Sequence, residues 1–83
     1  MRPRAIEVRP IDDYRLLITF TNLEKRIFDV KPYSKFPSFE KVFNNFDSVH
    51  ISGLSVAWEN GADICPDELY YESVPFEGGA EIW

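Results

Sequence analysis

Cys65 is the only cysteine in this chain and His50 the only histidine, and Asp63 stands two residues before the thiol. Cysteine, histidine and aspartate are the ingredients of a thiol nucleophile: an imidazole takes the thiol proton while a carboxylate orients the ring. A helix N-terminus also lowers a thiol pKa, and Pro66 directly after Cys65 marks a helix start. Two features oppose this reading. Asp67 and Glu68 follow at once and would repel a thiolate, and no spacing in the sequence brings His50 to Cys65. No catalytic residue is therefore assigned, and a Cys-dependent enzyme is the least favoured function. One cysteine and one histidine cannot close a tetrahedral metal site, so neither metal nor cofactor is expected.

The surrounding stretch 58–71, WENGADICPDELYY, has a structural use for each of its motif residues. Trp58 ends a strand and reads as core. Asn60-Gly61 is a strong turn signal, because both residues tolerate positive φ. The Asp63 carboxylate stands where it can accept from exposed backbone N–H groups. Pro66 suits the first helical position, and Asp67 and Glu68 complement the helix dipole. Leu69 and Tyr70 then turn toward a sheet, with Tyr71 nearer solvent.

The elements that must position this stretch follow from hydrophobic periodicity. Residues 4–10, RAIEVRP, alternate with Ile6 and Val8 on one face. Asp12 and Asp13 supply a turn. Residues 14–21, YRLLITFT, place Tyr14, Leu16, Ile18 and Phe20 on one face, the clearest strand in the chain. KRIFDVK, residues 25–31, follows a turn in which Leu23 fits a left-handed backbone poorly, so a longer or bulged turn is expected. Phe39, Val42, Phe43 and Phe46 then recur at i, i+3, i+4 and i+7, which predicts a Phe-rich helix starting at Pro37. Residues 48–59 alternate around Gly53 as a second hairpin, and residues 66–73 read as a short helix. The expected fold is α+β in the order β-β-β-α-β-β-α. It is a single domain over 1–83, with residues 74–83 as a C-terminal extension and the Phe-rich helix covering one face of an antiparallel sheet.

Eighty-three residues suffice for one domain, with a thin stability margin offset by seven Phe, four Tyr and two Trp. The net charge of −5 is unevenly spread. Residues 1–41 carry all nine Lys and Arg against six acids, whereas residues 42–83 carry eight acids and no base. Such a half is either a solvated face or a steering surface for a basic partner. It disfavours direct nucleic-acid binding, which needs clustered cations. No apolar run approaches a signal-peptide core or a membrane span, so a reducing cytoplasm is the expected location and no membrane contact is expected.

Three blocks together resemble a family. They are Val8, Pro10, Tyr14, Leu16, Ile18 and Phe20; Phe28, Asp29, Val30 and Pro32; and Trp58, Asn60, Gly61, Asp63, Ile64, Pro66, Asp67, Leu69 and Tyr70. The pattern looks like the small prokaryotic domain-of-unknown-function 2442 family, with Leu23 standing where that family usually has the Gly of an Asn-Gly turn. The resemblance implies a compact α+β domain, similar to the N-terminal part of longer proteins that carry a helix-turn-helix. It brings no catalytic residues. It also implies gene pairs that look like toxin–antitoxin modules.

The expected function is accordingly a protein-binding module without chemistry of its own, in its most concrete form an antitoxin-like partner of a small basic toxin. The alternative is a component of a transcriptional regulator that reaches DNA only through a partner, which a basic patch of Arg9, Arg15, Lys25, Arg26 and Lys31 on one sheet face would favour. Leu17 and Ile27 fall on the face opposite the expected core. With Ile82 and Trp83, beyond the Gly78-Gly79 pair, they form a candidate association surface for a homodimer, with tail packing in cis or in trans both open.

Overall fold

Residues 15–20, with Leu16, Ile18 and Phe20 on one face, form the strand at the centre of the molecule. A computed structural model describes residues 3–76 and buries Leu16, Ile18 and Phe20 completely or nearly so. This strand, β2 (Arg15–Phe20), pairs antiparallel on one side with β1 (Ala5–Ile11) and on the other with β3 (Lys25–Asp29). A hairpin of β4 (His50–Ser52) and β5 (Ser55–Ala57) forms a separate two-stranded sheet, turning at Gly53 with φ +60°. Helix α1 (Pro66–Tyr71) follows, and β6 (Val74–Pro75) returns to the first sheet beside β3. The result is a mostly antiparallel α+β arrangement with one short helix. Residues 74 and 75, read in the sequence as the start of an extension, are the fourth strand of the sheet. Pro75 suits that edge, since it has no N–H to offer a further strand.

Two expectations require correction. The pairing of β1 with β2 shifts between Ala5 and Glu7, so Ile6 is the extra residue of a bulge and is half exposed, while Ala5 takes the core position. The Phe-rich segment is also not an α-helix. From Val30 onward the backbone bonds every third residue: Tyr33 to Val30, Phe36 to Tyr33, Phe39 to Phe36, Val42 to Phe39, Asn45 to Val42, and Ser48 to Asn45. Three of these stretches are 3₁₀ turns, at Lys31–Lys35, Pro37–Phe39 and Phe46–Ser48. Pro37 holds Phe36 in extended backbone (φ −94°, ψ 130°), which separates the first 3₁₀ turn from the second but does not itself bar a helix starting at Pro37. Aromatic and asparagine residues then supply little helix propensity to rebuild one. The apolar face nonetheless survives the change of pitch: Phe39, Val42 and Phe46 are buried, and Phe43 packs partly against the same core.

Trp58 closes that core. Its ring lies 5.7 Å from Phe39 and 6.0 Å from Phe46, and its indole N–H donates to the Phe46 carbonyl at 3.1 Å. Val56, Ile64 and Leu69 fill the space between the hairpin, the helix and the sheet.

Two hairpin turns share one geometry. In T-N-L-E the Leu23 amide donates to Phe20 and the Phe20 amide to Glu24; in E-N-G-A the Gly61 amide donates to Trp58 and the Trp58 amide to Ala62. In both, the asparagine side chain accepts from the amide two residues on, Glu24 for Asn22 and Ala62 for Asn60. This is the three-residue bulged turn whose last position is left-handed. Gly61 meets it at φ +92°, without strain, whereas Leu23 holds φ +69°. The asparagines themselves stay out of the left-handed region and act through their side chains. Leu23 is 80% exposed, so its side chain returns little packing energy for the strain. Leu23→Gly should therefore stabilise the fold by about 0.5–1 kcal/mol, read as a higher urea midpoint at unchanged slope.

Helix α1 is fastened to the sheet edge by a polar clasp. Glu24 accepts from Tyr70 Oη at 2.7 Å, from Asn22 Nδ2 at 3.0 Å and from Arg26 Nη1 at 2.6 Å. Arg26 also donates to the Ser73 carbonyl and hydroxyl and lies 4.5 Å from the centre of the Tyr70 ring. The hydrogen bond from Tyr70, followed by those from Asn22 and Arg26, holds the Glu24 carboxyl below its ordinary pKa. A depressed carboxyl contributes stability that is present above its unfolded pKa and is lost as pH falls through the folded value. Glu24→Gln should lower Tm at neutral pH and flatten the loss of Tm on acidification below the ordinary glutamate value of about 4.3. An unchanged acid slope would show that the clasp does not sense the proton.

Candidate functional site

The three candidate thiol-site residues are not assembled into one. Cys65 is exposed at the residue before α1. His50 lies on β4 opposite Ala57, with its Nδ1 3.0 Å from the carbonyl of Ser48, and Asp63 bridges Ala57 from the other side. His50 and Asp63 therefore flank the same strand two positions apart, roughly 10 Å by strand spacing. Among the described residues no three His, Cys, Asp or Glu side chains gather as a metal ion would need. Cys65→Ser should leave Tm within a few degrees, since the residue is exposed and the change is small.

The remaining motif residues do the structural work read from them. Trp58 is core, Asn60 and Gly61 make the bulged turn, Pro66 opens α1, Asp67 stands in its first turn and Leu69 is fully buried. Tyr70 packs edge-on against Phe20 at 5.0 Å and joins the clasp, while Tyr71 is exposed.

What the sequence did not reveal is that the second and third motif blocks meet. The chain leaving β3 and the outer side of α1 enclose a cleft of about 250 Å³, lined by Phe28, Asp29, Pro32, Tyr33, Lys35, Phe36, Glu68 and Glu72. Asp29 first turns the chain: its carboxylate accepts from the Lys31 amide at 3.0 Å, and Pro32 then starts the 3₁₀ turn that raises Tyr33. Tyr33 stacks obliquely on Phe28, Phe36 and Phe39, and its hydroxyl donates to the Glu68 carboxylate, joining the turn to the helix. Burial, and then the hydrogen bond to Glu68, raise the Tyr33 pKa, so the phenol stays a donor. Phe36 is 45% exposed, and Lys35 Nζ lies 5.4 Å from its ring centre. With Asp29 paired to Lys31, Glu68 and Glu72 against the Lys35 ammonium leave the lining acidic beside an accessible aromatic face. That chemistry suits a cation with an apolar stem, such as arginine or lysine. The available sequence signal was the run PYSKFP, where aromatic residues stand between prolines that prevent a long helix.

The second candidate surface is the outer face of the sheet. Leu17 and Ile27 are direct cross-strand partners, and Val74 continues the row beyond Ile27. Leu17 is only 8% exposed, Ile27 is half-buried and Val74 is exposed. Ile82 and Trp83, the other two members of this surface, lie outside the described residues. The five cations of the expected basic patch are divided. Arg9, Arg15 and Lys25 alternate onto the outer face, Arg26 turns into the clasp, and Lys31 pairs with Asp13 and Asp29, each at 3.0 Å. No helix among the described residues is long and apolar enough to cross a membrane.

No curated protein and no solved structure matches the chain. One family model does, over residues 5–75, and that span runs from the bulged first strand through the cleft and the clasp to the last strand of the sheet. By that match the chain belongs to the family described as Protein of unknown function (DUF2442).

Proposed function

We propose that this chain is a small protein-binding module that receives a basic segment of a partner protein in the cleft between the Lys31–Lys35 turn and α1, without chemistry of its own. The observation that carries the reading is the pairing of Glu68 and Glu72 with the exposed ring of Phe36 in that cleft. The distribution of charge supports it. From residue 42 onward the sequence has no lysine or arginine, so a basic partner approaching α1 meets only acids from that half. The most concrete form is an antitoxin-like role toward a small basic protein, in keeping with the family resemblance. The division of the cations gives no matching support to a regulator that acts on DNA through a partner.

The test is a comparative capture from extract of the protein's own cells. Wild type should retain a basic protein that a folded Glu68→Lys, Glu72→Lys double variant loses at least tenfold, with retention falling as salt rises. Phe36→Ala should weaken the same capture and lower Tm only modestly, because its ring is about half exposed. Equal capture by wild type and the charge-reversed variant would remove the cleft from the function.

A further inference from the structure

The outer faces of β2 and β3 carry a self-complementary pattern, part of which is already used within the chain: Lys25 Nζ donates to Thr19 Oγ1 at 3.1 Å, and Lys31 pairs with Asp29 at 3.0 Å. Arg15 stands opposite Asp29, Leu17 opposite Ile27, and Thr19 opposite Lys25. All six side chains alternate with the buried Leu16, Ile18 and Phe28 and so lie on the side away from the core. A two-fold axis parallel to the strands and midway between β2 and β3 would set each of these residues against the copy of its own cross-strand neighbour. A base would then meet an acid twice, the small exposed part of Leu17 would meet Ile27 twice, and Thr19 would meet the ammonium of Lys25. Arg9, at the next position out on β1, would lie over Val74. No like charges oppose one another in this arrangement.

From this complementarity we infer that the outer sheet face docks a second copy of the same chain, face to face and with strands aligned, as sheets of this kind pack. The exposed Val74 and half-buried Ile27 supply the apolar centre. Arg15 donates to the Asp12 carboxylate at 2.9 Å and to the Asp12 carbonyl at 3.3 Å, exposed contacts that it can exchange at little cost. Four strands about 4.8 Å apart make a small face, below the roughly 1,600 Å² of a standard interface, so a weak association is expected. This surface shares Asp29 with the lining of the cleft beside α1, whereas Arg15 and Val74 lie outside that lining and probe the face alone.

Sedimentation equilibrium of the full chain from about 10 μM to 1 mM tests the inference. Wild type should associate to a dimer, and Arg15→Asp and Asp29→Arg should each weaken that association tenfold or more. Within one chain each variant still opposes like charges, but an equimolar mixture of the two restores both interchain pairs. The mixture should therefore form a heterodimer about as tight as wild type. Because Asp29 also accepts from the Lys31 amide, Val74→Lys serves as a second probe. It places a cation against Arg9 of the other copy and should weaken association without loss of fold. A wild type that stays monomeric at millimolar concentration, or a mixture no tighter than its components, would overturn the inference. Proton–proton contacts between Trp83 and Ile27 in such a monomer would assign the face to the chain's own last residues instead.

Discussion

The indole N–H of Trp58 donates to the carbonyl of Phe46, and the fold is organised around what that contact permits. One sheet face must be covered, yet the only α-helix among the described residues has six residues. The cover is built instead from the segment of repeated three-residue turns that runs from Val30 to Ser48. Such turns gain less from their own hydrogen bonds than an α-helix does, so their shape depends on side-chain packing. Trp58 provides it, with one ring against Phe39 and Phe46 and one buried donor satisfied by the last turn of the segment. A buried indole N–H without that carbonyl would cost a large part of a small domain's margin.

The same economy explains the polar clasp. A six-residue helix is too short to hold itself, since helix nucleation is costly and only about one further turn follows it. Leu69 anchors it from below, and Tyr70, Glu24, Arg26 and Ser73 tie its end to the edge of β3. Because both the turn segment and the helix are fixed by side chains, the space between them is set by side chains as well. The Tyr33–Glu68 hydrogen bond spans that space at one point and leaves the cleft beside it. Structural motif residues and the candidate binding cleft are thus parts of one arrangement: Asp29 and Pro32 shape the turn that forms one wall, and Pro66 starts the helix that forms the other.

The sequence by itself determined the elements whose signals are local. The period of two placed β2 and its core face, because it sets Leu16, Ile18 and Phe20 on one side of the strand. Turn chemistry placed the Asn60-Gly61 reversal, the bulged turn at Leu23 and the start of α1 at Pro66, since each rests on one or two residues' φ preferences or missing donors. Tertiary structure decided what depends on contacts distant in sequence. The spacing of Phe39, Val42, Phe43 and Phe46 identifies a buried face but not its pitch, and packing of Phe39 and Phe46 against Trp58 goes with three residues per turn rather than 3.6. The bulge at Ile6 answered the register of β2, which no residue of β1 encodes. The cleft arose only when Glu68 and Glu72 came beside Tyr33 and Phe36, some 35 positions earlier, because the charge and aromatic pattern of each segment is unremarkable until packing brings them together.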